Sequence, residues 1–470
     1  MIDQKPRPRE SDTNPFLQGN FAPWREEGAH EGLEVVGEIP RDLNGTFYRA
    51  GPNPAFEPKG RYHWFDGDGM VHAIDIRDGR ASYRNRYVAS DGLKEEQAAG
   101  KALYPGLLDM GESDMAGFKI TGNTNIVAHA GKLLALVEVA HPTAMDLKTL
   151  ETRGLYDYDG KLSGAMTAHP KLDPETGEML FFGYSPFPPY LQYHVADRTG
   201  ALVKSEEIDV AWPSMMHDFA ITQNHVIFML CPVVFSFENM AERGGPFTWE
   251  PERGARLGVM PRSGGNADVR WFDIDPCFVF HPMNAYDDGD GIVLDVARYE
   301  RLLFMNPDAR DTSLQEEDNA RLHRWRIDLT SGTVKSTPLD DLVGEFPRVD
   351  ERLVGRRHRF GYMAVRGPET RDDNMPVLTA IRKYDLEGGS SATRLFGARN
   401  GVGEPLFVPR HATAEEDDGY VIVLHYDHER DLSDFLILDA RNIEGQPLAR
   451  VRLPHRVPYG FHGNWVSADT

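Results

Sequence analysis

The stretch Arg324-Trp325-Arg326-Ile327-Asp328-Leu329-Thr330-Ser331-Gly332 carries the reading of the fold. Apolar and charged residues alternate up to an Asp, a few turn residues follow, and a Gly closes the segment. Alternation with a period of two turns one face of a strand inward. The Asp side chain caps a tight turn and the Gly takes positive φ, which is the chemistry of a β-hairpin. The same order recurs at Ile74-Asp75 to Gly79, Ala196-Asp197 to Gly200, Tyr384-Asp385 to Gly388 and Leu438-Asp439 to Gly445, with Asp173 to Gly177 a close variant. Hairpins repeated over a whole chain fit a β-propeller, where radial repetition leaves only short sheet edges. Unrelated hairpins in sandwiches would carry the same pattern.

Composition agrees with an all-β reading. The 45 Gly and 32 Pro residues are spread through all 470 positions, as many short turns require. Two stretches, 91–118 and 300–322, are less strand-like and are expected as helical or loop insertions over one face. With 51 Lys+Arg against 73 Asp+Glu the chain carries −22, which argues against nucleic acid and against electrostatic binding to anionic lipid. Apolar contact with a membrane stays open. The apolar run from Val226 to Phe237 contains Pro232 and is too short to span a bilayer, and the first fifteen residues lack an apolar leader. Two cysteines, Cys231 and Cys277, suit a reducing compartment. A soluble, cytoplasmic protein is expected.

Thirteen of the 17 histidines need no special explanation. Four stand apart: His169 in Thr167-Ala168-His169-Pro170, His217 in Met215-Met216-His217-Asp218-Phe219, His281 in Phe278-Val279-Phe280-His281-Pro282, and His462 in Tyr459-Gly460-Phe461-His462-Gly463. Apolar and small neighbours predict buried imidazoles, and a buried imidazole needs partners. Their spacing matches no local metal motif. In a propeller, inner strands from distant blades converge on one axis, where four such nitrogens would suit iron, zinc or copper. Three functions remain at this point: a metal-dependent oxygenase, a zinc hydrolase, and a binding propeller without catalysis.

Longer motifs narrow the choice. Phe47-Tyr48-Arg49-Ala50-Gly51-Pro52-Asn53-Pro54 and Tyr62-His63-Trp64-Phe65-Asp66-Gly67-Asp68-Gly69-Met70-Val71-His72 are followed by Ala168-His169-Pro170-Lys171 and His217-Asp218-Phe219-Ala220-Ile221-Thr222. Next come Phe280-His281-Pro282-Met283-Asn284-Ala285, Gly403-Glu404-Pro405-Leu406-Phe407-Val408-Pro409-Arg410 and the terminal His462-Gly463. In this order, from about Ile39 to the C-terminus, the chain resembles the carotenoid cleavage oxygenase family, which includes apocarotenoid, lignostilbene and isoeugenol-cleaving enzymes. The resemblance implies a single domain over 1–470, a seven-bladed β-propeller with a helical and loop cap and an N-terminal extension, 1–35, packed on it.

It also implies an Fe(II) held by His169, His217, His281 and His462, with Glu138, Glu345 and Glu404 bonded to the outer nitrogens of three of them. A carboxylate on Nδ1–H fixes the tautomer and raises ligand basicity. Thr124 resembles a threonine whose methyl restricts an open iron position. The implied reaction is cleavage of a conjugated C=C bond by O2 into two carbonyl products. Lignostilbene-type members carry a Lys just before the first of these glutamates; here the position is Val137, which favours an apolar carotenoid or apocarotenoid, as does Ser185-Pro186-Phe187-Pro188-Pro189-Tyr190-Leu191. Trp249-Glu250-Pro251-Glu252-Arg253-Gly254 resembles instead the enzymes that cleave phenylpropanoid or stilbene alkenes to aromatic aldehydes, and that is the alternative.

Overall fold

A computed structural model of the chain describes residues 14–107, 109, 119–138, 140–238, 246–302, 319–370 and 377–468. Among them, strands dominate and a single α-helix occurs. The strands form five sheets of four to six strands, one of seven, and a two-stranded hairpin to the side. The seven-stranded sheet is two blades joined through one strand, Val334–Arg348. Its first part, exposed, pairs with Arg321–Asp328, from Ile327↔Val334 to Arg321↔Val343. Its last part, from Gly344 onward, pairs with Phe360–Val365. One strand thus leaves the rim of one blade and becomes the innermost strand of the next.

Counted this way there are seven blades. Residues 125–155, 171–208, 219–274, 278–343, 344–395 and 401–452 supply blades two to seven, and both chain ends complete the ring. Val35–Gly37 adds the outermost strand of blade seven by pairing with Ala449–Arg452. Gly463–Ser467 adds the innermost strand of blade one by pairing with Gly45–Pro52. Apolar faces fill each gap between neighbours. Val71 packs with Ile126, Leu134 with Phe181, and Tyr193 with Phe228 and Leu294 in one cluster. Leu322 then joins Met363, Ile381 joins Val421, and Phe435 returns to Ile74 in blade one. The seven gaps form a cycle, so the wheel is closed. Burial, not the ladder, joins the blades, because a blade's two apolar faces can be covered only by its neighbours. Deleting residues 463–470 is therefore expected to replace one cooperative thermal transition by a broad, low-temperature one, measured by circular dichroism.

The turn motifs hold in part. Asp197, Asp328 and Asp173 each accept backbone N–H bonds from the next few residues, and Gly200, Gly332 and Gly177 take positive φ. At Ile74 to Gly79 the turn is Asp78-Gly79, both with positive φ, while Asp75 stays in the strand opposite Ser82. Two positive φ values in a two-residue loop match the right-handed twist of the flanking strands, so the tighter turn prevails. At Asp385 the left-handed residue is Gly389 rather than Gly388, and Gly445 is not among the left-handed glycines.

The expected insertion at 91–118 contains the helix Asp91–Ala99, which starts on the Ser90 side chain and stops at left-handed Gly100. Its Leu93 packs on Met70 and Tyr87, and its buried Glu96 pairs with Lys119, which also pairs with Asp68. Residues 108 and 110–118, and 303–318 of the other insertion, lie outside the described residues. Of the N-terminal extension, residues 14–35 are described. Phe21 packs edge-on to Trp64 and Tyr459, and Gly28–His30 pairs with Arg80–Tyr87.

Candidate metal centre

The four histidines reach the axis from the starts of four inner strands. His169 lies two residues before Lys171–Leu172, His217 two before Phe219–Ile221, His281 inside Phe278–Asp288, and His462 just before Gly463–Ser467. The local chain explains their placement. Pro170 restricts His169 to extended backbone. The Thr167 hydroxyl accepts the His169 N–H at 3.0 Å and donates to the His217 carbonyl at 3.3 Å, tying two ligand segments together. Pro282 sits where the ladder shifts register, so its missing N–H costs the sheet nothing.

One potential ligand atom from each of the four lies within 4.8 Å of those of the others, and all four residues are buried. The Nε2 atoms of His169 and His217 are 2.9 Å apart and those of His217 and His281 are 3.2 Å apart. Three outer nitrogens face carboxylates. His217 Nδ1 meets Glu138 Oε1, His281 Nδ1 is 2.6 Å from Glu345 Oε2, and His462 Nδ1 is 3.0 Å from Glu404 Oε1. A carboxylate only accepts, so each of these rings carries its proton on Nδ1 and turns a bare lone pair inward. Lone pairs this close repel unless a cation lies among them. The set fits a metal ion.

Charge points the same way. Glu138, Glu345 and Glu404 bring three negative charges, and Arg348, 3.2 Å from Glu404, returns one positive. Glu351, 2.8 Å from Arg348, takes up part of that positive charge, so the surroundings keep a net negative charge that a cation would offset. Burial holds His169 well below the ordinary imidazole range, helped by the other three rings, so it stays a neutral donor. Burial lowers His281 and His462 as well, against the pull of their glutamates. At His217 burial is outweighed by Glu138 and the shift is upward. Burial alone would raise the Glu404 carboxyl, but Arg348 and His462 hold it down to about 2.

Each blade contributes one member of this group. Blades three, four, five and one supply the histidines in chain order, and blades two, six and seven supply Glu138, Glu345 and Glu404. Glu345 depends on an irregular backbone: the register slips between Glu345 and Arg348, and Phe346 takes φ +58°. That left-handed conformation is costly for a bulky residue. It sets the Phe346 ring 5.6 Å from His281 and 5.4 Å from His462. Phe280 packs edge-on to His217 at 4.8 Å, completing an apolar wall.

Thr124 is held beside His462, whose backbone N–H it accepts at 3.2 Å. Three residues behind the carboxylates had no role in the sequence reading. The Tyr184 hydroxyl donates to Glu138 at 2.6 Å, the Tyr299 hydroxyl to Glu345 at 2.9 Å, and Arg348 to Glu404. Buried tyrosines are common, so only proximity marks these two. Arg348 follows Glu345 by three residues, a spacing that marks a cation near these carboxylates without naming its partner. Asp218 adds a fourth carboxylate, 3.7 Å from His169 Nδ1, which is committed to Lys171 at 2.8 Å.

Against known proteins, the family model described as retinal pigment epithelial membrane protein (RPE65) matches residues 21–467. The chain belongs to this family, that of the carotenoid cleavage oxygenases. It is 37% identical to carotenoid 9,10(9′,10′)-cleavage dioxygenase 1 of Arabidopsis thaliana, over 97% of this chain and 90% of that one. It is 36% identical to isoeugenol monooxygenase of Pseudomonas nitroreducens, over 96% and 98%. Its structure resembles lignostilbene dioxygenase of Pseudomonas brassicacearum with a TM-score of 0.91 and 35% identity, covering 97% and 99%. Apocarotenoid oxygenase of Synechocystis, as a variant, gives 0.86 and 31%, covering 95% and 97%.

Proposed function

We propose that this chain is an Fe(II)-dependent oxygenase that uses O2 to split a conjugated C=C bond of a carotenoid or apocarotenoid into two carbonyl products. The observation that carries the reading is the group of four buried imidazoles, three of them backed by carboxylates, in a member of this family. His169, His217, His281 and His462 would hold the iron through the inward nitrogens. Four protein nitrogens would complete the ligand set of a tetrahedral zinc, whereas an iron held by the same four would accept further ligands. Bound ferrous iron supplies the redox chemistry that activates O2 beside the alkene.

The chain's own residues do the rest. Glu138, Glu345 and Glu404 keep three Nδ1 protons in place and orient the rings. Phe280 and Phe346 exclude water from their side of the centre and offer an apolar wall to a polyene. Thr124 is assigned the narrowing of one open position; its backbone carbonyl accepts the His462 N–H, which keeps the residue next to a ligand, and its hydroxyl donates to Asn123. No general base is required. Val137 offers no cation or hydrogen bond to a phenolate, and a desolvated phenolate without a partner is costly.

Cleavage of phenylpropanoid or stilbene alkenes is the second reading, favoured by the structural likeness to lignostilbene dioxygenase. Incubation with a long polyene, a hydroxystilbene and isoeugenol, followed by product analysis, separates the two. Aldehydes from the polyene are expected; turnover of the phenolic compounds alone would reverse the order. Val137→Lys is expected to raise kcat/KM for the hydroxystilbene relative to the polyene by about tenfold, the scale of one charge-assisted hydrogen bond.

The reading takes residues 1–470 as one domain, supported by the strands from both chain ends that complete the wheel. Among the described residues no helix is long and apolar enough to cross a membrane. A cytoplasmic location accords with the unpaired, buried thiols of Cys231 and Cys277. Phe187, 56% exposed and packed on Phe237, is a large ring available for peripheral contact with a bilayer.

A further inference from the structure

A second cavity, mostly apolar but with a buried cation in its wall, lies behind the metal centre, where blades six, seven and one meet the N-terminal segment. A cavity there is lined by Asn20, Arg49, Trp64, Phe346, Gly403 and Tyr459 among others. Phe346 is the shared wall: one side packs on His281 and His462, and the other borders the cavity. The cavity's volume is about 30 Å³. One water needs roughly 10–15 Å³, so the space is that of two or three waters, enough for one compact ion of three or four bonded heavy atoms and none for a polyene.

Arg49 is the unusual member. It is 4% exposed, and among the described residues no carboxylate lies within ion-pair distance. Its one hydrogen bond within the described residues runs from Nη1 to the Pro458 carbonyl at 2.8 Å. Glu404 is close enough to be felt electrostatically but is already engaged by Arg348, His462 and the Gly463 N–H. The backbone makes room for the guanidinium: a Cβ on Gly460 would come within 2.7 Å of Arg49 Nη2 and of the Gly51 Cα. Asn20, which lines the same cavity and is 5% exposed, has an Oδ1 with no hydrogen-bond partner. A buried guanidinium without a counter-ion is costly, and an anion in the cavity would offset that cost.

We propose that this cavity binds a small planar oxyanion, a short carboxylate or bicarbonate, on Arg49. The free edge of a guanidinium matches the two oxygens of such an ion. The orphaned Asn20 oxygen needs a donor, which bicarbonate supplies through its own O–H and formate supplies only through an accompanying water. The overall charge of −22 repels anions in general, so binding here reflects the local cation. The site stands apart from the choice of alkene and does not depend on it.

The test uses the metal-loaded protein at constant ionic strength, with chloride replaced stepwise by sodium formate or, at pH 8, by sodium bicarbonate. Melting temperature is followed together with line broadening of the ¹³C-labelled anion. A saturable rise in melting temperature and broadening with one or both anions is expected in the wild type. Asn20→Asp puts a carboxylate into the same cavity as the Arg49 guanidinium and is expected to raise the melting temperature without added anion and to weaken anion binding at least tenfold. Arg49→Met is expected to abolish it; if that variant does not fold, Asn20→Asp still decides. A response to bicarbonate alone identifies the protonated oxyanion as the ligand, and a response to formate identifies the carboxylate class. Absence of saturable binding, or equal binding in Asn20→Asp, overturns the proposal.

Discussion

Replacing His217 or His281 by alanine is expected to strip the protein of its metal while leaving the wheel standing. Each imidazole is buried at the axis, with Nε2 atoms 3.2 Å apart, and supplies one of four inward lone pairs. Loss of a residue that merely supports a ligand costs 10–100-fold in affinity, and loss of the ligand itself costs more. Iron measured by plasma emission should fall from about one per chain to below a tenth, with cleavage activity falling alongside. Phe280 of one apolar cluster touches His217, but the clusters that join the blades extend well beyond that contact, so the thermal transition should stay cooperative. Full retention of iron by both variants would overturn the assignment of the centre. Stoichiometric zinc in the wild type would favour the hydrolase considered from the sequence.

The second large effect is expected from Glu404→Gln, and it should differ in kind from Glu345→Gln. Glu404 is fully engaged: His462 Nδ1 and the Gly463 N–H at 3.0 Å, and Arg348 at 3.2 Å. Gly463 begins the strand that closes the ring, so one carboxylate serves both the metal ligand and the closure. Glutamine keeps the shape and removes the charge, leaving Arg348 with Glu351 and Asn464 as remaining partners. Breaking a buried pair by neutralising one member costs about 3–5 kcal/mol, and the remaining Glu351 contact favours the lower end. A drop of several degrees in melting temperature should accompany a 10–100-fold loss in iron affinity. Glu345→Gln, whose partners are His281, Tyr299 and the Phe346 N–H, should lose iron affinity with a smaller change in melting temperature. Equal melting temperatures for wild type and Glu404→Gln would show that the closure does not depend on this charge.

Local chemistry made much of this protein legible in advance. Hairpin turns at Asp173, Asp197 and Asp328 are written within a few residues, because the Asp carboxylates bond only N–H groups two to four residues on. Where the motif misled, at Asp75 and Gly388, a competing turn one to three residues away had better φ values, and a pattern of residue types does not rank such neighbours. The four histidines were set apart by their apolar flanks, and position-by-position likeness named Glu138, Glu345, Glu404 and Thr124.

Pairing was decided elsewhere. Glu138 of blade two reaches His217 of blade four, with Tyr184 of the intervening blade behind it. Glu345 is 64 residues from His281, and Glu404 is 58 from His462. No periodicity spans such separations, since each residue's direction is set only when seven inner strands converge and the apolar gaps between blades close. The double use of Val334–Arg348 by two blades, the left-handed Phe346 and the Arg49 cavity belong to the same level. Sequence alone determined strands, turns and the kinds of donor atom available, because those follow from neighbours along the chain. Closure of the wheel decided which donors meet and where charge is left uncompensated, because electrostatics and packing depend on distance in space.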